Sequence, residues 1–457
     1  MPAAPLAPAS SPASFRLSRA LTARAAAWDR AGVLRVEVPA RPADPLRWLA
    51  GQPSGLRAYW RGRGEAEARA GLGSALTVDA DSLADDRLAD AVGTLPAGAR
   101  LTATARFDPS VGVGREWAAF GGVRLVLPRV EYRSDGRTAT LAVHLAPGEA
   151  AEVARRALAS LRPADDRPGG LPLPFMRRDD PDRADWGRML RWALGAFRDG
   201  RLDKVVLARR ARYLFEEPVD AIDLLERLEA ATPRCYHALV SPGPDLAFVT
   251  ATPERLLRLD GRTVRTEAVA GTRPRSEADA DDDRLRDELL ASEKDQREHG
   301  YVRRAIVNAL GPLAASVEVD EHASAMTLAR GRHLRTGIRA ELADGVGALD
   351  VLRALHPTPA VGGTPTVGAL DAIDRLEPFD RGLYAGPVGW IGRDEDGAEA
   401  ADLAVGIRSG LVDGRSLSLY SGAGIVEGSD PDAEWAEIEH KIGDFARVLG
   451  LETRVDA

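Results

Sequence analysis

Asp260-Gly261 separates two short runs of alternating apolar and polar character, residues 256–259 and 264–269. Asp-Gly between such runs is a strong local hairpin signal, because the tight turn it favours needs positive φ at both central residues. A hairpin commits its strands to antiparallel pairing, and this constrains the fold more than any other feature of the chain. From position 204 onward strand and helix patterns alternate, with further hairpin-like pairs and another strand over 246–250. The mixture predicts an α+β (α/β) architecture with large, mostly antiparallel sheets, not a nucleotide-binding parallel sheet. Aromatics make up 5% of the chain against 44% hydrophobic residues, so the core must come mainly from Leu, Val and Ala.

Upstream, residues 122–128 and 138–145 read as half-buried strands and 149–161 as a helix. Residues 162–183, rich in Pro, Asp and Gly, read as an exposed connection, and helical periodicity returns over 186–198. Residues 1–14 are Ala/Pro/Ser-rich and lack a basic n-region and an apolar h-region. They are expected to be a disordered tail, not a signal peptide. No apolar run approaches the roughly eighteen residues a membrane helix needs, so the cytoplasm is the expected compartment. The formal charge of −8, without an isolated basic block, argues against a nucleic-acid partner. Cys235 is the one cysteine, which excludes an intramolecular disulfide and a cysteine-based zinc site. No seam for a partner helix is evident, and a monomer is expected.

Of the 61 basic residues only Lys204, Lys294 and Lys441 are lysines. Arginine stays protonated at any pH a protein meets, whereas a buried lysine can lose its proton and act as a base. Lys204 lies in a strand-like run, where its charge must face water or line a cavity. Lys294 stands four residues before Glu298, and Lys441 four after Glu437, each on an expected helix.

Those helices also carry acids one turn apart. The first, over 284–310, bears Asp295 and Glu298; the second starts at Ser429-Asp430-Pro431 and bears Glu434 and Glu437. Two such pairs facing each other would make an oxygen-rich cage suited to Mg²⁺. On spacing alone, ordinary surface ion pairs are the simpler reading. The acidic run 277–283 reads as a solvated loop. The glycines around 362–363, 386–389 and 422–424 match no phosphate-binding fingerprint and leave tight turns or ligand contacts open. Arg408, in a strand-like run, is either a carboxylate clamp or a surface charge. Glu254 sits where one strand pattern ends and the next begins, a position that suits a catalytic acid or a solvated turn residue.

Taken together, the segments Leu202–Arg209, Thr252–Leu257, Thr266–Arg273, Leu289–His299, Leu355–Gly363, Glu377–Trp390 and Gly422–Glu437 resemble the chorismate-utilising enzymes. The resemblance is greatest to the isochorismate synthases of menaquinone and catechol-siderophore pathways. It is dense over 183–450 and fainter over 15–165, within a single chorismate-binding domain spanning 15–457. The fold it implies is one large domain of stacked, mostly antiparallel sheets flanked by helices, with the site in a deep cleft. It implies that Lys204 is the base that activates water and Glu254 the acid that protonates the departing C4 hydroxyl. Glu298 and Glu437 take the places of Mg²⁺ ligands, with Asp295 and Glu434 behind them. Arg408, Gly422, Ala423, Gly424, His333, Lys441, Thr272, Ala360 and Val361 take substrate-lining places. The implied reaction is the reversible, Mg²⁺-dependent conversion of chorismate to isochorismate.

Three related activities compete with that reading. Salicylate synthases add pyruvate elimination to the same first step, and anthranilate and aminodeoxychorismate synthases use ammonia. Lys204 suits water activation, and the small Ala360 suits a reaction that stops at isochorismate. A non-catalytic chorismate-binding subunit is the alternative from another class, against which the intact Lys204, Glu254, Glu298 and Glu437 set argues.

Overall fold

The computed structural model describes residues 12–165, 169–275, 278–328 and 331–451, apart from the side chains of Thr272, Pro274 and Lys294. Among the described residues, twenty strands join into one connected sheet in which every pairing is antiparallel. The Asp260-Gly261 hairpin is present, joining Arg255–Asp260 to Thr263–Pro274 with Leu259 opposite Val264. Asp260 pairs with Thr263, so the turn is centred on Gly261 and Arg262, and Gly261 alone takes a left-handed φ, 62°. The hairpin ladder is short. Beyond it Thr263–Pro274 pairs along most of its length with Gly331–Leu342.

The main core is dominated by Leu, Val and Ala, as the scarcity of aromatics requires, and a second, smaller cluster gathers Trp60, Tyr236 and Trp390. Strands distant in the chain pair with one another. Arg57–Arg61 pairs with Tyr236–Gly243, and Arg100–Ala105 pairs with Pro387–Arg393. No helix among the described residues is long and apolar enough to cross a membrane.

Several local expectations are revised. Residues 162–183 contain a strand, Pro174–Asp180, that pairs with residues 210–215 of the strand Lys204–Phe215. Its block of charges, Arg177-Arg178-Asp179-Asp180, hid the pattern. The helix expected over 284–310 is two helices, Asp279–Ala291 and Glu293–Leu310, broken at Ser292, whose hydroxyl caps the second by accepting from the Asp295 N–H. The acids from Asp279 to Asp282 are not in a loop. They occupy the first turn of Asp279–Ala291, where negative charge offsets the helix dipole. Ala13 and Ser14, placed with the tail by composition, open the helix Ala13–Ala26; residues 1–11 lie outside the described residues.

Candidate functional site

Lys204 opens the strand Lys204–Phe215, and 1% of its side chain is exposed. The flanking strand Ser416–Ile425 runs alongside with Gly424 opposite Val206 and Gly422 opposite Ala208. Gly422-Ala423-Gly424 is therefore strand interior, not a turn. A Cβ at Gly424 would stand 2.6 Å from Glu298 Oε1 and 3.1 Å from Lys204 Cε, so glycine here gives room for the two side chains to meet. They do meet: Lys204 Nζ donates to Glu298 Oε1 at 2.8 Å.

Glu298 projects from Glu293–Leu310, and Asp295 one turn earlier faces the same cavity, paired to Arg273 at 2.8 Å. The opposite wall is the helix Pro431–Leu449, started by Asp430, which caps the N–H groups of Asp432 and Ala433, with Pro431 in the first turn. This start sets the helix phase that turns Glu434, Glu437 and Lys441 inward. Lys441 Nζ bonds both Glu437 Oε1 at 2.7 Å and the Gly422 carbonyl at 3.0 Å, tying the helix to the glycine strand.

Glu254 lies between the strands Leu246–Thr252 and Arg255–Asp260, with its N–H donating to Thr252 Oγ1 at 3.2 Å. Burial, then the neighbouring carboxylate of Glu267, pushes its carboxyl up to about 8 against the opposing pull of Lys204 and Arg63. It is a protonated acid at neutral pH. Arg408 is not in a strand. It sits in the turn between Glu399–Val405 and Ser409–Asp413 with φ 48°, an unusual conformation for a side chain of its size. The turn is held because the Arg408 carbonyl accepts from the Ala251 N–H and the Ile407 carbonyl from Thr250 Oγ1. His333 is bonded through Nδ1 to the Gly271 carbonyl at 3.0 Å, and burial lowers its ring to about 4, so it is neutral.

These groups line one cavity of about 260 Å³: Lys204, Glu254, Asp295, Glu298, His333, Ala360, Val361, Arg408, Gly422, Gly424, Glu434, Glu437 and Lys441 all face it. Ala423, expected beside them, instead turns its methyl into the core, as strand alternation between two cavity-facing glycines requires. The side chain of Thr272 lies outside the described residues. Among the described residues no three Asp, Glu, His or Cys side chains are gathered as a preformed metal cluster. The acids are instead held apart by cations, Glu298 by Lys204, Glu437 by Lys441 and Asp295 by Arg273. Their donor type nonetheless suits Mg²⁺, which takes one or two carboxylates and completes its shell with water and substrate oxygens.

Tyr384, Tyr420 and Arg273 also line the cavity and went unassigned in the sequence. The two tyrosine rings stack at 5.3 Å with 19° between planes. Tyr384 and Arg273 fall inside the resembling segments, a usable signal. Tyr420 sits in an apolar strand run that offers none.

The description "Chorismate binding enzyme" fits residues 19–450 as a family match. The chain belongs to the chorismate binding enzyme family. As a chorismate binding enzyme it is similar to isochorismate synthase MenF of Escherichia coli, 32% identical over 428 residues that cover 92% of this chain and 94% of the relative. It is 37% identical over 372 residues to the salicylate biosynthesis isochorismate synthase of Pseudomonas aeruginosa, covering 79% of this chain and 76% of that one. The chain spans 61% of the length of the chloroplastic isochorismate synthase of Catharanthus roseus, at 35% identity. The solved structure of Escherichia coli MenF, described as the menaquinone-specific isochorismate synthase, superposes with a TM-score of 0.84 at 30% identity, over 95% of this chain and all of that one. Anthranilate synthase component I of Streptococcus pneumoniae shares the fold, with a TM-score of 0.65 at 19% identity.

Proposed function

We propose that this chain is an isochorismate synthase. One observation carries the reading: a single cavity holds a buried lysine and a carboxyl pushed up to about 8, the pair that adding water at one ring carbon and losing hydroxyl at another requires. Its relatives of similar length carry that activity in their names.

In this mechanism Lys204 first gives up to solvent the proton it shares with Glu298, and its Nζ then accepts a proton from water as the water oxygen bonds to C2 of chorismate. The ring double bonds shift, the C4–O bond breaks, and Glu254 passes its proton to the departing hydroxyl, which leaves as water. Solvent exchange then returns a proton to Glu254 and removes one from Lys204. Arginine at position 204 could not do this, since it does not give up its proton. Arg408, Lys441 and the glycine strand bind the substrate carboxylates, and Ala360 and Val361 shape the wall beside the ring. Glu298 and Glu437, with Asp295 and Glu434 behind them, would hold Mg²⁺, whose charge would draw electron density through the ring carboxylate. Both half-reactions use the same two groups in reverse, so the conversion runs in either direction.

The test is product analysis with chorismate and Mg²⁺ in the absence of ammonia. Isochorismate as the main product is the expected result. Salicylate with pyruvate as the main products, or no turnover at all, overturns the proposal.

A further inference from the structure

Glu267 lies in the strand Thr263–Pro274 with its side chain fully buried, outside the set that lines the cavity. A buried carboxylate must be compensated, and here two guanidinium groups do so. Arg63, in the turn between Arg57–Arg61 and Ala68–Ala80, bonds both carboxylate oxygens at 2.6 and 2.9 Å. Arg335, in Gly331–Leu342, bonds Oε2 at 2.7 Å. The same three-residue unit grips the chain on both sides of Glu254. Arg63 Nη1 donates to the Pro253 carbonyl at 2.5 Å, and Glu267 Oε1 accepts from the Arg255 N–H at 3.3 Å.

We propose that Arg63, Glu267 and Arg335 form a clamp that fixes Glu254 and makes it a proton donor, with Glu267 as the positioning residue. The inference rests on Glu254 being the acid of the proposed reaction. Two consequences of the geometry support it. Anchoring both neighbours leaves the Glu254 carboxyl little freedom to swing away from the cavity. A fixed negative charge beside it also opposes its ionisation, and Glu267 stays ionised: burial pushes its carboxyl up, but the bonds from Arg63 and Arg335 bring it below the ordinary range. The other charged or titratable groups acting on Glu254 are Lys204 from its strand, Arg63 from its turn, and Tyr384 from the segment preceding Pro387–Arg393. Arg408 and Glu298 share the cavity. Glu267 is the nearby anion that burial keeps from solvent screening.

The experiment is the pH dependence of kcat/KM for isochorismate formation in wild type, Glu254→Gln, Glu267→Gln and Arg335→Gln, each checked for native thermal unfolding. Glu267→Gln keeps the shape and an oxygen for the Arg255 N–H but removes the charge, so its alkaline limb is expected about one pH unit below that of wild type. Arg335→Gln, at a partly exposed position that tolerates change, removes a cation instead. Its limb is expected above that of wild type. A purely structural role would weaken both variants without moving their limbs apart. An unmoved limb in Glu267→Gln, or a downward shift in Arg335→Gln, overturns the clamp. If Glu267→Gln does not fold, Arg335→Gln decides alone: a limb above that of wild type supports the clamp, and an unmoved or lowered limb overturns it. Wild type that makes no isochorismate refutes the proposed function; isochorismate formation lost in Glu254→Gln, with the Glu267→Gln limb unmoved, refutes the clamp only.

Discussion

Lys204 and Glu298 face each other at 2.8 Å across the floor of the cavity, a lysine from a central strand and a glutamate from a helix ninety-four positions away in the chain. One partner is the proposed base and the other a proposed metal ligand. In the proposed mechanism the pair would couple proton transfer to the site that would hold the ion.

Replacing Lys204 tests the base directly. Lys204→Arg retains the positive charge beside Glu298 but cannot deprotonate, and Lys204→Ala removes both. Each is expected to lower turnover by roughly 10²–10⁴-fold, the usual contribution of a general base, while chorismate binding measured by calorimetry persists. Unchanged turnover in Lys204→Ala would place the base elsewhere.

The pH profile follows from Glu254. Its folded-state carboxyl, pushed up to about 8 by burial and then by Glu267, is protonated below that pH and ionised above it. An acid works only while it holds its proton, so kcat/KM is expected to decline as pH rises through about 8. A rate that stays level to pH 10 in buffered assays contradicts the assignment.

Chelation is expected to abolish turnover and added Mg²⁺ to restore it. Glu298→Gln and Glu437→Gln are each expected to require more Mg²⁺ for half-maximal activity, read by titrating the ion at fixed chorismate. Full activity in chelator would remove the ion from the mechanism.

Gly424→Ala introduces a methyl 2.6 Å from the Glu298 carboxylate, which must move. Displacement of an ångström at reacting groups costs on the order of 10²-fold in rate. The expected variant is folded by circular dichroism, slow, and weaker for Mg²⁺. Wild-type kinetics would show that Glu298 relaxes without consequence.

Glu377 and Arg381 form a buried pair, 1% and 3% exposed at their side chains, that holds the wall behind the cavity. Arg381 also donates to the carbonyls of Val206 and Val361, and Glu377 accepts from the Ala208 N–H. Removing one partner strands the other charge, so Arg381→Met is expected to destabilise the fold by about 3–5 kcal/mol in denaturant unfolding. A loss under 1 kcal/mol would mean that water or another group takes the place of the arginine.

The antiparallel architecture was legible because its signals are local, whereas the candidate site residues were singled out by the resemblance, since their spacing alone fitted surface ion pairs better. Asp260-Gly261 dictates a turn, Asp430-Pro431 dictates a helix start, and the acid pairs repeat at one helical turn. What could not be read depended on partners distant in the chain. Ser292 is the exception: its capping partner, the Asp295 N–H, is only three residues away, but serine fits a helix interior as well until that bond forms. Arg408 looked like strand until the carbonyls around it were found held by Thr250 and Ala251. Glu267 lay inside the resembling segment Thr266–Arg273 but pointed to no role, because the role proposed for it depends on Arg63 and Arg335, distant in the chain.

The interleaving of Arg57–Arg61 with Tyr236–Gly243, and of Arg100–Ala105 with Pro387–Arg393, bears on how such a chain can change over generations. Exchanging one half for that of a relative would set strands against partners with which they did not evolve, along several ladders at once. Backbone bonding would survive, but the side-chain fit between these strands, Trp60 against Tyr236 among them, would not. Single replacements on the cavity wall, which lies outside these four strands, leave that fit intact.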